Sequence, residues 1–273
     1  ISAIEAAGQD ANSDRDRRDL LLKELSGIIG ASTFETSNGT ATVQLGNGMP
    51  LVEGTQVTRI QAVASGVDTN LELAFGTTTL PLGRSALGGE FGGLYQARDV
   101  MIPDVVNRLD QLAFTFANSI NAQHQAGTGL DGVAGRDFFV APVAVAGSAS
   151  SLSMSITATA ELAAGASISP GDNTNALAIL QLEQQQLLGN DTFVSYYGKI
   201  AATVGVETAR NRQAKQGFED SLIQLQNLRD GLDGVSIEDE MINLLQYQKG
   251  FEASAKFLST VDEMMDTLLT LKR

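Results

Sequence analysis

Few residues of this chain have the types and spacing for chemistry, and none of them converges. His124 is the single histidine. A serine–histidine–aspartate relay would have to use it, and no Gly-x-Ser-x-Gly elbow accompanies it. Its position at the end of a helical run suits a ring that meets terminal carbonyls. Gly127, Gly129 and Gly132 spell Gly-x-Gly-x-x-Gly, but that fingerprint needs a strand before it and a helix after it. Here the order is reversed, so the glycines read as turn residues. Asp131 and Asp137 lie in a glycine-rich loop without calcium-loop spacing. Glu238, Asp239 and Glu240 are consecutive on a helix and point in different directions, so they cannot share one ion. They answer a helix N-terminus, which favours negative charge. Asn38-Gly39-Thr40 and Asn190-Asp191-Thr192 fit the glycosylation triplet and are read as turn and cap residues. The reading is a chain with no catalytic residue, no cofactor and no metal.

Composition narrows the classes further. The chain has 273 residues, 43% of them hydrophobic and 5% aromatic, with no cysteine or tryptophan. Disulfides and thiolate chemistry are therefore excluded. The net charge of −14 runs against nucleic acid and anionic membranes, both of which need concentrated Lys and Arg. The best basic cluster, Arg15, Arg17 and Arg18, is interleaved with Asp14, Asp16 and Asp19. No apolar run is long enough to span a bilayer. No signal-peptide pattern opens the chain, and its start at Ile1 rather than Met predicts a fragment.

The elements follow from periodicity. Ile1–Ala7 reads as the end of a helix. Asn12 or Ser13 can cap a helix that runs to Ile29, with Gly30 as its stop. From Ala31 to Gly89 the pattern alternates: Ala41–Leu45, Gln56–Val63, Asn70–Phe75 and Thr77–Leu82 read as strands, with turn signals at Asn38-Gly39 and Gly46-Asn47-Gly48. Ile102, Val105, Leu109, Leu112, Phe116 and Ile120 keep helical spacing, and Pro103 marks a kink or break. Phe138–Val145 and Leu152–Thr159 read as two more strands, joined through Gly147. Pro170-Gly171-Asp172-Asn173 is a turn that caps the next helix. Helix then dominates from Asn175 to Leu232, with a pause at Gly189–Thr192.

The stretch from Val235 to Arg273 is the most informative. Ser236 can cap it, and Lys272 and Arg273 suit its C-terminal end. Ile237, Met241, Leu244, Phe251, Ala255 and Leu258 form one apolar row. Phe257, Val261, Met264, Leu268 and Leu271 form a second row, read as adjacent to the first, so that the stripe is wider than a two-stranded seam needs. At ~1.5 Å per residue the helix is a rod of roughly 50 Å. Pattern alone leaves ordinary core burial and an intermolecular seam both open. These eleven residues are the candidate subunit-packing set.

The expected architecture is α+β: a discontinuous long-helix bundle with two inserted small antiparallel β units and a C-terminal coiled-coil-type helix. The bundle takes residues 1–30, 90–126 and 173–232. The β unit takes 31–89, a β-rich insertion takes 127–172, and the terminal axial helix takes 233–273.

Val235 to Leu244, Tyr247-Gln248, Ala253-Ser254-Ala255 and Ser259 to Leu269 resemble the C-terminal helix shared by flagellar rod, hook and hook-associated proteins. Arg17 to Ser26, Leu45 to Val52, Gly92-Gly93-Leu94, Leu109 to Ala113, Asn121 to His124, Asp137-Phe138-Phe139 and Pro170 to Asn173 then follow in the order of the flagellar hook-associated protein 1 family, the hook–filament junction proteins. The resemblance implies a structural subunit exported without a cleavable signal peptide to the extracellular flagellum. It implies copies of itself, hook protein, a second junction protein and an export chaperone on the C-terminal helix as partners. It also implies that the N-terminal third of the family, with the helix that pairs with the terminal rod, is absent here. Rival readings are a hook or rod protein and, from another class, a secreted hydrolase such as a peptidoglycan hydrolase on a flagellar scaffold.

Overall fold

The computed structural model describes residues 1–36, 40–66, 68–233 and 237–271. Asn38-Gly39, Ser236, Lys272 and Arg273, assigned turn, cap and terminal-charge roles above, lie outside the described residues. The chain divides into two units, Ile1–Ala201 and Ala202–Arg273.

The first unit opens with α1 (Ser2–Ala6) and α2 (Asn12–Ile29). The position before α2 is Ala11, with no side-chain cap, so neither Asn12 nor Ser13 fills that role. Arg15 instead fastens the helix from its side, through Glu5 at 2.6 Å and Glu35 at 2.7 Å. The predicted stop holds: Gly30 adopts φ 70°. A Cβ there would collide with the backbone of Gly88, so both the left-handed turn and the close chain crossing require glycine.

Two antiparallel sheets follow. β1 (Ser32–Glu35), β2 (Ala41–Gln44), β3 (Pro50–Glu53) and β4 (Gln56–Val57) pair in sequence order. β5 (Arg59–Ser65), β6 (Asp68–Phe75) and β7 (Thr78–Pro81) form the second sheet. The run Gln56–Val63, expected as one strand, is split at Thr58 between the sheets. β1 and β3 are additional to the expected strands. They are short, and β1 is exposed throughout, so its alternation carries no burial signal. Leu51 and Leu73 from the sheets, with Leu45 and Leu82 just after β2 and β7, bury against Ile29, Ala86, Leu87 and Tyr95 in one core. Burial of large aliphatic side chains at ~25 cal/mol per Å² is the main force that holds this half.

α3 (Gly89–Gln96) passes through a π turn over Ala97–Met101 into α4 (Ile102–Gln125). Pro103 has no N–H to donate, and the widened turn sits directly before it, so the break expected there is a π bulge rather than a stop. Arg98, in that turn, donates to Thr69 O at 2.7 Å and to Asn70 Oδ1 at 3.0 Å, and stacks over Tyr95 at 4.4 Å. The amide of Leu71 in turn donates to Tyr95 Oη at 2.7 Å. The second sheet is thereby tied to the helical junction.

The expected strands Phe138–Val145 and Leu152–Thr159 do not form. Among the described residues this region holds one isolated bridge, Phe139 with Met154, and α5 (Ser148–Ser151) in place of a turn. The two antiparallel sheets of the fold therefore both lie within residues 32–81. The two expected strands meet through only two backbone bonds, Val140 N to Ser153 O at 2.9 Å and Ser155 N to Phe138 O at 2.8 Å, and a side chain of α4, Asn121, takes the remaining amide and carbonyl of Phe139.

α6 (Thr174–Gln181) follows the predicted turn. Its first amide is met by Asp172, whose Oδ1 accepts from Thr174 N at 3.0 Å, and not by Asn173. After a pause longer than expected, α7 (Phe193–Asp233) begins, with Thr192 Oγ accepting from Ser195 N at 3.2 Å. Ile200 is the last buried residue of α7. The second unit holds the rest of α7 and then α8 (Ile237–Leu271).

Candidate assembly surface and a buried polar spine

α4 buries one member of the apolar row that its spacing suggested, Ile120, and leaves the rest less covered. Ile102 is exposed, and Leu109, Leu112 and Phe116 are half-buried. The buried face carries Ile120 together with Asp110, Ala113, Ala117, Asn121 and His124; the last five recur at steps of three and four and so share one side of a helix. Its polar members bind main chain. Asp110 accepts from Gly147 N at 2.7 Å and Ala149 N at 2.9 Å. Asn121 accepts from Phe139 N at 2.8 Å and donates to Phe139 O at 2.9 Å. His124 Nδ1 lies 2.8 Å from Arg136 O, and its Nε2 accepts from Ala163 N at 3.0 Å. A segment with a single isolated bridge has almost no ladder, so its buried amides and carbonyls need such partners. Asn175 adds another link, donating to Ala163 O at 2.6 Å and accepting from Gln123 at 2.8 Å.

This geometry accounts for the candidate chemistry. His124 is fully buried, and both of its ring nitrogens are taken by backbone groups. No ring nitrogen faces a cavity, so the ring is a staple. Gly127 and Gly129 are packing positions: a Cβ on Gly127 would collide with the side chain of Asn175, and one on Gly129 would meet Ala160 O at 2.6 Å. Asp131 pairs with Arg136, which holds its carboxyl below the usual range, and Asp137 accepts from Gln125. Among the described residues, no group of three or more metal-ligating side chains gathers. Asp172 is held well below the usual carboxylate range, chiefly by the Thr174 hydroxyl and then by the Thr174 and Ser167 amides. This closes the turn before α6.

The second unit is where large apolar side chains go uncovered along whole helices. Past Ala201, α7 and α8 bury no described residue. Of the candidate packing set, Ile237, Met241, Leu244, Phe251, Phe257, Leu258 and Met264 are each more than half exposed. Ala255 is exposed and Val261 half-buried. Leu268 and Leu271 are helical, with side chains outside the description. The two rows, taken above as adjacent, are separated by the helix itself. In an unbroken helix turning about 100° per residue, they are centred about 150° apart. Ile242, Leu245, Tyr247 and Met265 are also at least half exposed and add further apolar directions. A fixed heptad row hides them, because a straight helix drifts against a seven-residue repeat. A helix that is apolar on several sides is one that ends up surrounded. On α7, Val204, Phe218, Leu222, Leu225 and Leu232 form a further exposed row.

Known proteins match along the chain. Residues 1–139 match the family model "Flagellar hook-associated protein FlgK helical domain", and residues 233–271 match "Flagellar basal body rod FlgEFG protein C-terminal". The chain is 24% identical over 364 residues to "Flagellar hook-associated protein 1" of Salmonella typhimurium, covering 97% of this chain and 66% of that protein. It is 24% identical to the Escherichia coli protein of the same name, with 97% and 65% covered, and 23% identical to that of Bacillus subtilis, with 98% and 60% covered. The chain thus spans just under two thirds of these relatives' length. Among solved structures it is similar to the flagellar hook junction protein FlgK of Burkholderia pseudomallei, with a TM-score of 0.45, 28% identity, and 51% of this chain and 27% of that one covered.

Proposed function

The chain belongs to the family of flagellar hook-associated protein FlgK, and from that premise we propose that it is a structural subunit that joins hook to filament and catalyses nothing. The carrying observation is the exposure of large apolar side chains on several sides of α8, over the residues that match the rod-protein C-terminal model. A subunit that leaves such a helix in water has yet to bury it. Neighbouring helices supply the missing contacts on assembly, and the several apolar directions allow more than one neighbour. Residues 233–273 act as the axial element.

On this reading the partners are copies of the chain, hook protein, a second junction protein, and an export chaperone that covers α8 before assembly. The subunit is exported to the extracellular flagellum. The test is deletion of residues 236–273. Incorporation into flagella is lost while residues 1–201 keep their melting transition. Normal junctions built from the deleted chain would reject the proposal.

A further inference from the structure

The first unit carries an uncharged groove and an uncharged projection. The groove, of about 530 Å³, lies between α4, α5 and the start of α7. Leu109, Leu112, Phe116, Leu152, Val194 and Tyr197 line it, and no lining residue is charged. Val194 is 67% exposed and Tyr197 58%. Phe116 and Phe193 meet edge to face at 5.2 Å and fix its floor.

The projection is the arch Val140–Ala146, Val-Ala-Pro-Val-Ala-Val-Ala, whose Val143 is fully exposed at 101%. Both feet of the arch are anchored to α4. Asn121 clamps Phe139 at one end, and Asp110 holds Gly147 and Ala149 at the other. Val140 N also donates to Ser153 O at 2.9 Å, and Gly147 turns into α5 with φ 82°. A valine knob held at both feet is pre-organised and loses little freedom on docking.

We propose that the Val143 arch of one copy seats in the α4–α5–α7 groove of a second copy. Charge argues for this occupant. A subunit of net charge −14 repels its own kind, and that repulsion is least where both meeting faces are free of charge. From Phe138 to Ala160 no residue is charged, in a chain that is 18% charged, and the groove is equally free. Geometry argues for it too. Knob and groove are different patches, so their union is head-to-tail and repeats around a ring or along a helix. An axial structure needs that repeat and a two-fold pair cannot give it. The inference rests on the junction reading and deepens it by naming a lateral contact.

The chain has no cysteine, so Val143→Cys and Val194→Cys can each be introduced singly. Both variants are co-expressed in a flagellated host, and the flagellar fraction is oxidised, as is the purified mixture at high concentration. The expected product is the mixed dimer, with a disulfide between position 143 of one chain and position 194 of the other. Its yield should stand about tenfold above either homodimer, because docking makes the thiol pair effectively intramolecular. Homodimers at equal yield, or no mixed dimer in either sample, would overturn the contact. Two second substitutions on the Val194→Cys chain separate its groove from its own knob. Tyr197→Asp puts a charge in the groove at a half-exposed residue, and should cut the mixed dimer about tenfold while the melting transition stays in place. Val143→Asp alters only that chain's knob, which this cross-link does not use, and should leave the yield unchanged. A mixed dimer that survives the first change or is lost with the second would also overturn the contact. Whether the variants enter the flagellar fraction at all reports on the junction reading separately, whatever the cross-links show.

Discussion

The amide of Ala163 donates to Nε2 of His124 at 3.0 Å across a sequence separation of 39 residues. The other ring nitrogen is held by Arg136 O at 2.8 Å, so the imidazole links three chain segments at the end of α4. What is chemically the most suggestive residue of the chain is a structural one.

Replacing it tests that role. His124→Ala leaves the Ala163 amide and the Arg136 carbonyl buried without partners and opens a cavity. We expect a loss of about 3 kcal/mol in unfolding free energy, read by urea denaturation, with no change in the exposure of α8. A variant as stable as the parent would show that the staple contributes nothing.

Asp110 gives a second prediction. Its two oxygens hold Gly147 and Ala149. Asp110→Ala should cost about 2 kcal/mol, since charged acceptors make the stronger hydrogen bonds. It should speed amide exchange across residues 140–152 while β5–β7 stay protected. Uniform loosening of the whole chain would instead assign Asp110 a general role.

The acid limb of stability is set in part by Asp172. Its folded carboxyl lies well below the usual range because Thr174 and Ser167 donate to its charged form. A depressed carboxyl contributes stability that is fully present above its unfolded value, near ~3.9. That contribution is lost as pH falls from the unfolded value towards the folded one. As pH is lowered from about 5 to about 2, the urea midpoint should therefore drop less in Asp172→Asn than in the parent chain. Identical slopes would remove Asp172 from the account.

Gly30 sits where two chain segments cross. Gly30→Ala drives a Cβ into the backbone of Gly88 and forces φ 70° on a residue that disfavours it. The expected cost is at least about 2 kcal/mol in the melting of the sheet core, whereas Gly27→Ala, with open space around it, should be tolerated.

The Gly30 stop, the alternation of β2, β6 and β7, the irregularity before Pro103 and the length of α8 are all legible in the residues, because each follows from local chemistry. The insertion after α4 is not. Phe138–Val145 has strand composition, but composition cannot tell that its pairing with Ser153–Ser155 stops after two backbone bonds and that Asn121 takes the other edge of Phe139. A signal is present in the recurrence of Asp110, Asn121 and His124 on one helical face, which apolar spacing overlooks. Likewise, a heptad row places the apolar residues of α8 on one stripe, whereas the turn of the helix carries them round it. Spacing along the chain identifies the members of the surface, and helix geometry supplies its several directions.

Amide hydrogen exchange over residues 237–271, in the free subunit and in isolated flagella, is the most direct test. The account predicts rapid exchange in the free chain, where α8 buries no described side chain, and strong protection after assembly. Equal exchange in both states would contradict it, for α8 would then have found no neighbour to cover it.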